Sequence, residues 1–436
     1  MAKKLNYEEW HKEEIQKLLH QLNTLKKQFL MFMKWLTLAV VVGLLVGAFS
    51  SLFGLSMEFV TKARMKYDWL IFLLPIAGLF IILLYRCFGI KKDSGTNLVI
   101  DTIHSDGVVP VQVAPLIFIA TVLTHLFGGS AGREGAALQI GGSLADKIAH
   151  GFKLDLMDRK LLILCGMSAA FSALFGTPMA AAVFAMEVIT VGIMYYAAFL
   201  PCVVSALVAS FFSSNIAGMT PESFHIINVP ELNTKTIAVV FIISVIGAGV
   251  SSLFCWLLHK SSKEFEKRCK NQYVRILLAG VIIMGITLIV DSSDYNGAGI
   301  DVIERAFLGE VVPYAFLLKM IFTAITLGGG FKGGEIVPTF FVGATLGAMI
   351  GSIFGVSPSL CAGIGMAVLF CGVTNCPLAT LMISFELFHY KAVPFFLLAI
   401  AISYVLSGYS GLYGEQKIMY SKYKARYINR NVKDQG

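Results

Sequence analysis

The chain has 436 residues, of which 56% are hydrophobic and only 14% charged, with a mean hydropathy of +0.75. A soluble domain carries about 25% charged residues, so this composition excludes an ordinary aqueous fold, disorder and collagen, and makes lipid the solvent. The net charge of +8 does not point to nucleic acid, because the basic residues sit mainly at the two ends and in short loops between apolar runs.

The N-terminal arm carries Lys3, Lys4, Lys12, Lys17, Lys26 and Lys27. A middle loop has Lys260, Lys263, Lys267, Arg268 and Lys270, and the tail Lys417, Lys422, Lys424, Arg426, Arg430 and Lys433. The positive-inside rule places all three segments, and therefore both termini, in the cytoplasm of a multi-pass protein of the cell membrane, expected to be a prokaryotic plasma membrane. Within residues 8–29, Ile15, Leu18, Leu19, Leu22, Leu25 and Phe29 recur at three- and four-residue steps among Glu and Lys. That spacing predicts an amphipathic helix on the cytoplasmic surface, residues 1–32. A first apolar run that follows so long a polar stretch is not a secretory signal.

Apolar runs follow at 33–62, 69–88, 112–128, 160–175, 178–213, 236–258, 274–290, 313–327, 336–355, 359–372, 376–388 and 393–409. Several fall short of the ~20 residues that span a bilayer. Short apolar helices broken by glycine are tolerated in a membrane only where they are buried or line a cavity, so the short runs are where a site is expected.

A repeat divides the chain. Gly166, Met167, Phe171, Pro178, Ala180 and Glu187 recur 199 positions later as Gly365, Met366, Phe370, Pro377, Ala379 and Glu386, and GREGAALQIGG (132–142) matches GGEIVPTFFVG (333–343), pairing Glu134 with Glu335. The expected organisation is an all-α membrane protein with a first membrane repeat at 33–215, a linker at 216–235, a second repeat at 236–425 and a cytoplasmic tail at 426–436. If the repeats have opposite topology, their broken helices meet at the midplane and enclose one site.

Three glycine-rich helix starts are candidates for that site: Gly128 to Gly135, Gly328 to Gly334, and Gly95-Thr96-Asn97. Free amides and the positive dipole end make a helix start an anion site without any lysine. The same glycines also serve simple helix packing, and the residues alone leave both readings open. Glu134 and Glu335 interrupt apolar segments, where a carboxylate is costly. Each is either a dipole partner at a helix start or a proton carrier that competes with the bound anion; Glu187 and Glu386 read as structural. The eight histidines and eight cysteines show no metal spacing, and neither GxSxG nor a Walker A sequence is present, so no enzyme, cofactor or ATP dependence is expected.

GREGAALQIGG, GGGFKGGEIVPTFFVGATLG, GTPMAAAVFAMEV and SGYSGLYGEQ (407–416) resemble the CLC family of anion channels and transporters, in order and spacing over nearly the whole chain. The resemblance implies two inverted-topology helical repeats and a homodimer with one pore per subunit, joined largely by the repeated GxP helices and those after them. It makes Glu134 the gating glutamate, Tyr413 the tyrosine whose hydroxyl faces the anion, and the amides of Ile336 and Val337 anion ligands. The starts at Thr96, Asn97, Gly132, Arg133 and Gly135 complete the expected anion site.

The departures choose a branch. Gly95-Thr96-Asn97-Leu98-Val99 replaces the usual GSGIP, and Ala136 takes the proline position of GREGP. This is similar to the fluoride/proton antiporter branch, which also has a glutamate in the GGE segment, here Glu335, as an internal proton station. That branch often has methionine where Thr96 stands and threonine where Val337 stands, and Thr96 keeps a hydroxyl near the anion. The implied function is export of cytoplasmic fluoride against protons. A chloride/proton antiporter and a passive anion channel are the alternatives.

Overall fold

The computed structural model describes residues 2–90 and 94–435, with side chains for 10–90 and 94–433. Among these residues, eight α-helices form the first half: α1 (Ala2–Lys66), α2 (Leu74–Cys87), α3 (Thr96–His104), α4 (Val113–Leu126), α5 (Glu134–Gly151), α6 (Leu156–Phe175), α7 (Pro178–Glu187) and α8 (Phe199–Phe211). Eight more form the second: α9 (Thr234–Arg268), α10 (Gln272–Val290), α11 (Ile300–Phe307), α12 (Ala315–Gly329), α13 (Ile336–Phe354), α14 (Pro358–Thr374), α15 (Pro377–Phe388) and α16 (Val393–Leu406). Six helical stretches among the described residues are long and apolar enough to cross a membrane: Trp10–Lys66, Asp68–Cys87, Tyr196–Ile216, Thr234–Arg268, Gln272–Val290 and Ile336–Phe354. Val113–Leu126, Pro178–Glu187, Ala315–Gly329, Pro358–Thr374, Pro377–Phe388 and Val393–Leu406 are the shorter apolar helices. Their partners are other helices.

The halves repeat each other's packing. α6 lies against α5, α7 and α8 as α14 lies against α13, α15 and α16, and α1 meets α6 and α8 as α9 meets α14 and α16. This is the fold of two inverted helical repeats. Small residues permit the closest crossings: a Cβ on Gly166 would lie 2.2 Å from the Gly141 carbonyl oxygen, and one on Gly365 2.0 Å from that of Gly343. Backbone therefore meets backbone where α5 crosses α6 and α13 crosses α14. A closed ring of aromatic contacts ties the halves together, from Phe171 to Phe175, Phe340, Phe370, Phe184 and back, with centroids 4.7–5.9 Å apart.

Two features differ from the sequence reading. The segment expected as a separate surface helix over 1–32 is continuous with the first membrane helix, because no glycine or proline interrupts the chain before Gly43. Residues 10–34 are exposed, and the buried face of α1 begins at Trp35. The otherwise helical chain also ends in a small sheet. β1 (Thr190–Val191) pairs in parallel with β2 (Lys417–Tyr420), which pairs antiparallel with β3 (Tyr427–Asn431), so the sheet straddles the expected boundary at 425 and pins the tail to the segment after α7.

Candidate functional site

The two glycine loops that precede α5 and α13 meet at the centre of the molecule. Gly132 N–H donates to the Gly334 carbonyl at 2.6 Å and Gly334 N–H to the Gly132 carbonyl at 2.7 Å, an isolated antiparallel bridge. A Cβ on Gly334 would sit 2.6 Å from the Gly135 nitrogen, and one on Gly132 2.7 Å from Glu134 Oε2. Only glycine fits at Gly334, where backbone is met, whereas a side chain at Gly132 would have to displace the Glu134 carboxylate. The bridge also corrects one expectation: the Gly132 amide is committed to Gly334 and is not available to an anion.

Glu134, the first residue of α5, is fully buried. Its Oε2 accepts the Arg133 N–H at 3.0 Å, whereas Oε1 lies 3.5 Å from Arg133 Nε and has no hydrogen-bond partner. The carboxylate thus folds back over its own helix start and occupies a donor that an anion would otherwise use. Arg133 is held from the other side, with Nη2 donating to Glu222 Oε1 at 2.6 Å and to the Leu174 carbonyl at 3.4 Å. Glu222 is 21% exposed and anchored by its own N–H to the Phe175 carbonyl at 3.2 Å. One guanidinium therefore stands between a buried carboxylate and one that reaches solvent.

Glu335 precedes the first helical residue of α13 and is partly buried, with Oε2 enclosed and unpartnered. That oxygen lies 3.3 Å from the Cβ position of Gly135, and Thr96 Oγ1 lies 3.2 Å from the same point. Tyr413 is buried, and its hydroxyl has no hydrogen-bond partner. Ile336 and Val337 are the first two residues of α13, so their amides have no acceptor within the helix. Pro338 follows, with no amide to satisfy.

Thr96 and Asn97 play a different part from the one expected of their side chains. Thr96 Oγ1 donates to the Gly135 carbonyl at 3.2 Å, and Asn97 Oδ1 accepts the Glu415 N–H at 3.1 Å. These contacts fasten the start of α3 to α5 and to the loop that carries Tyr413. The rest of that loop is held by Leu412 N–H to the Val373 carbonyl at 2.9 Å, and by Gln416 Nε2, which donates to the carbonyls of Val188 and Thr374, each at 2.8 Å.

Two supports escaped the sequence reading. Glu222 falls in the segment read as a linker and belongs to no motif. Lys319 is fully buried on α12, donating to the carbonyls of Gly297 at 2.7 Å and Tyr295 at 3.2 Å. Gly297 in turn pairs with Gly129 and Ala131, and Ser130 bonds to Thr323 and Thr326 of α12. α12 thus buttresses the loop that delivers Glu134. A lone lysine in the apolar run 313–327 was the available signal.

The sequence profile described as voltage gated chloride channel matches residues 77–408. The chain is 38% identical over 397 residues to a "Chloride/fluoride channel protein" of Pseudomonas syringae pv. tomato, covering 89% of this chain and 88% of the relative. A crystal structure of a CLC-type fluoride/proton antiporter superposes with a TM-score of 0.86 at 31% identity, covering 89% of this chain and 98% of the other. A slow cyanobacterial Cl−/H+ antiporter shares the fold, with a TM-score of 0.74 at 19% identity over 86% of this chain and 94% of the other.

Proposed function

The chain belongs to the voltage-gated chloride channel family of membrane anion transporters and channels and is similar to its fluoride/proton antiporter branch, and we propose that it exports fluoride from the cytoplasm in exchange for protons. One observation carries the reading. Glu134 Oε1, Glu335 Oε2 and the Tyr413 hydroxyl are buried polar atoms without hydrogen-bond partners, the first two at the joined starts of α5 and α13. Buried polar atoms are normally satisfied, and three unsatisfied ones beside first-turn amides are what a dehydrated anion and a proton together would complete.

In this reading the anion takes the Ile336 and Val337 amides and the Tyr413 hydroxyl. Fluoride is small and strongly hydrated, so it leaves water only where several donors converge. Glu134 acts as the gate: charged, it holds its own helix start against the anion, and protonated it yields that place. Glu335 is the second station, taking the proton near the same point on α5. Moving an anion out and a proton in carries charge in one direction, so a negative-inside potential drives both.

The orientation proposed has both termini in the cytoplasm, from the basic ends and the basic stretch expected as a middle loop, of which Lys260, Lys263, Lys267 and Arg268 lie on the end of α9 and Lys270 in the turn after it. The proposed assembly is a homodimer through α7, α8, α15 and α16, whose exposed apolar side chains include Met179, Phe199, Phe211, Leu378 and Leu397. Purified protein in liposomes, with fluoride or chloride efflux and proton uptake followed together, tests the function. Fluoride efflux with stoichiometric proton uptake supports it. Fluoride flux without protons makes the protein a channel, and preference for chloride returns it to the chloride/proton alternative.

A further inference from the structure

Two histidines far apart in sequence meet on the surface where the linker crosses the end of α15. His225 lies in the linker and His389 is the residue that ends α15; both are exposed, and their ring centroids are 5.4 Å apart with the planes at 48°. Neither ring has a hydrogen-bond or ionic partner among the described residues. The backbone holds the two together. Phe224 N–H donates to the Leu387 carbonyl at 3.0 Å, and His389 N–H closes α15 on the Phe385 carbonyl. Phe224 and Phe388, the buried neighbours of the two histidines, both stack on Phe307, with centroids 5.2 and 5.8 Å away.

The spacing has a chemical meaning. A tetrahedral zinc ion bonded to one nitrogen of each of two imidazoles, at about 2.0–2.1 Å, places the ring centroids roughly 5 Å apart. Ring contact alone also sets such a distance, yet both side chains stay exposed here, so contact alone removes little apolar area from water. We propose that His225 and His389 bind a divalent transition-metal ion of the zinc class. Imidazole suits Zn2+, Cu2+ and Ni2+, whereas Mg2+ prefers oxygen ligands. Among the described residues no third His, Cys, Asp or Glu joins the pair, so water fills the remaining positions and the site is an open one of modest affinity. The fixed backbone on both sides lowers the cost of ordering the ligands. A bound ion fastens the linker to α15 three residues beyond Glu222, the partner of Arg133. α9 is long enough to span the membrane and carries the basic residues at its far end, so in the orientation proposed above the linker before it faces outside the cell. The binding itself does not rest on that orientation.

The test is isothermal titration of Zn2+ into the full chain in detergent, purified without a histidine tag, with Mg2+ titrated in parallel and the melting temperature followed. One Zn2+ per chain is expected to bind and to raise the melting temperature, with Mg2+ doing neither. His225→Ala and His389→Asn should each weaken Zn2+ binding about tenfold or more. Asparagine is chosen because it tolerates the left-handed φ of 55° at that position. The double variant should bind no more weakly than either single one, since two ligands of one ion act as a unit. His20→Ala, which removes an exposed histidine from the N-terminal arm, should leave binding unchanged. In the unaltered chain, one equivalent of Cu2+ should give an electron paramagnetic resonance spectrum with two nitrogen ligands, a readout that needs no variant. Unchanged Zn2+ binding in either single variant, additive losses in the double one, equal loss in His20→Ala, Mg2+ binding as tight as Zn2+, or a copper spectrum without two nitrogens overturns the site. Because no transport is measured, failure here is separate from failure of fluoride/proton exchange.

Discussion

Glu187 and Glu386 each close the start of the helix that carries the other. Glu187, at the end of α7, accepts the N–H groups of Leu378 and Ala379 at 3.1 and 2.7 Å, and Glu386, near the end of α15, accepts those of Met179 and Ala180 at 2.9 and 2.8 Å. The reciprocity reports the two-fold relation between the halves and gives the repeated glutamates a structural role. Glu187→Ala or Glu386→Ala should each lose about 1–3 kcal/mol, the range for leaving partly buried amides without a charged acceptor. Thermal unfolding in detergent checks this, and an unchanged midpoint in both variants contradicts the capping role.

Glu134→Gln should abolish proton coupling while anion flux persists, since the amide keeps the shape of the side chain but can neither carry the proton nor compete as an anion. Simultaneous recording of fluoride and pH in liposomes decides it. Proton-driven fluoride transport at the wild-type rate in that variant removes Glu134 from the gate.

Glu335→Gln should slow or uncouple proton movement in a protein that still folds and still binds fluoride. Its Oε2 is enclosed beside Gly135, so the loss falls on a proton station. Full coupling in this variant refutes the role and weakens the fluoride reading relative to chloride.

Glu222→Gln removes the negative charge from the 2.6 Å partner of Arg133 and leaves Glu134 as the carboxylate paired with the guanidinium. Each kcal/mol by which this favours the charged, closed gate should slow exchange about fivefold, and Glu222→Asp should recover part of the rate. Unaltered exchange in Glu222→Gln would show that the pair only braces the linker.

Single cysteines introduced in the N-terminal arm or in the tail should react with an impermeant reagent only after the membrane is opened, as the basic ends require. The eight natural cysteines need replacement or blocking first. Labelling of either end in intact cells contradicts the proposed orientation.

The parts legible in the sequence were those with a steep local cost. Glu134 and Glu335 stand out because a carboxylate in an apolar segment is expensive, and the repeat shows because glycine and proline recur at fixed offsets. What could not be read depends on partners remote in sequence. Glu222 reaches Arg133 across 89 positions, and Asn97 reaches Glu415 across 318. Neither spacing has a period, so neither leaves a pattern. The continuity of α1 was hidden differently: a change from polar to apolar composition reads as a boundary, whereas the backbone meets no glycine or proline before Gly43. The terminal sheet joins strands of two to five residues, too short to announce themselves.

The bridge between Gly132 and Gly334 has a mechanical consequence. Its two hydrogen bonds join the loop before α5 to the loop before α13, and backbone meets backbone there with no side chain between. Swinging one half against the other would tear both bonds in a low-dielectric interior, where unmade hydrogen bonds are most costly. In the exchange proposed above, access to the two sides of the membrane would then change by rotation of side chains about a fixed backbone, with Glu134 proposed as the first to move.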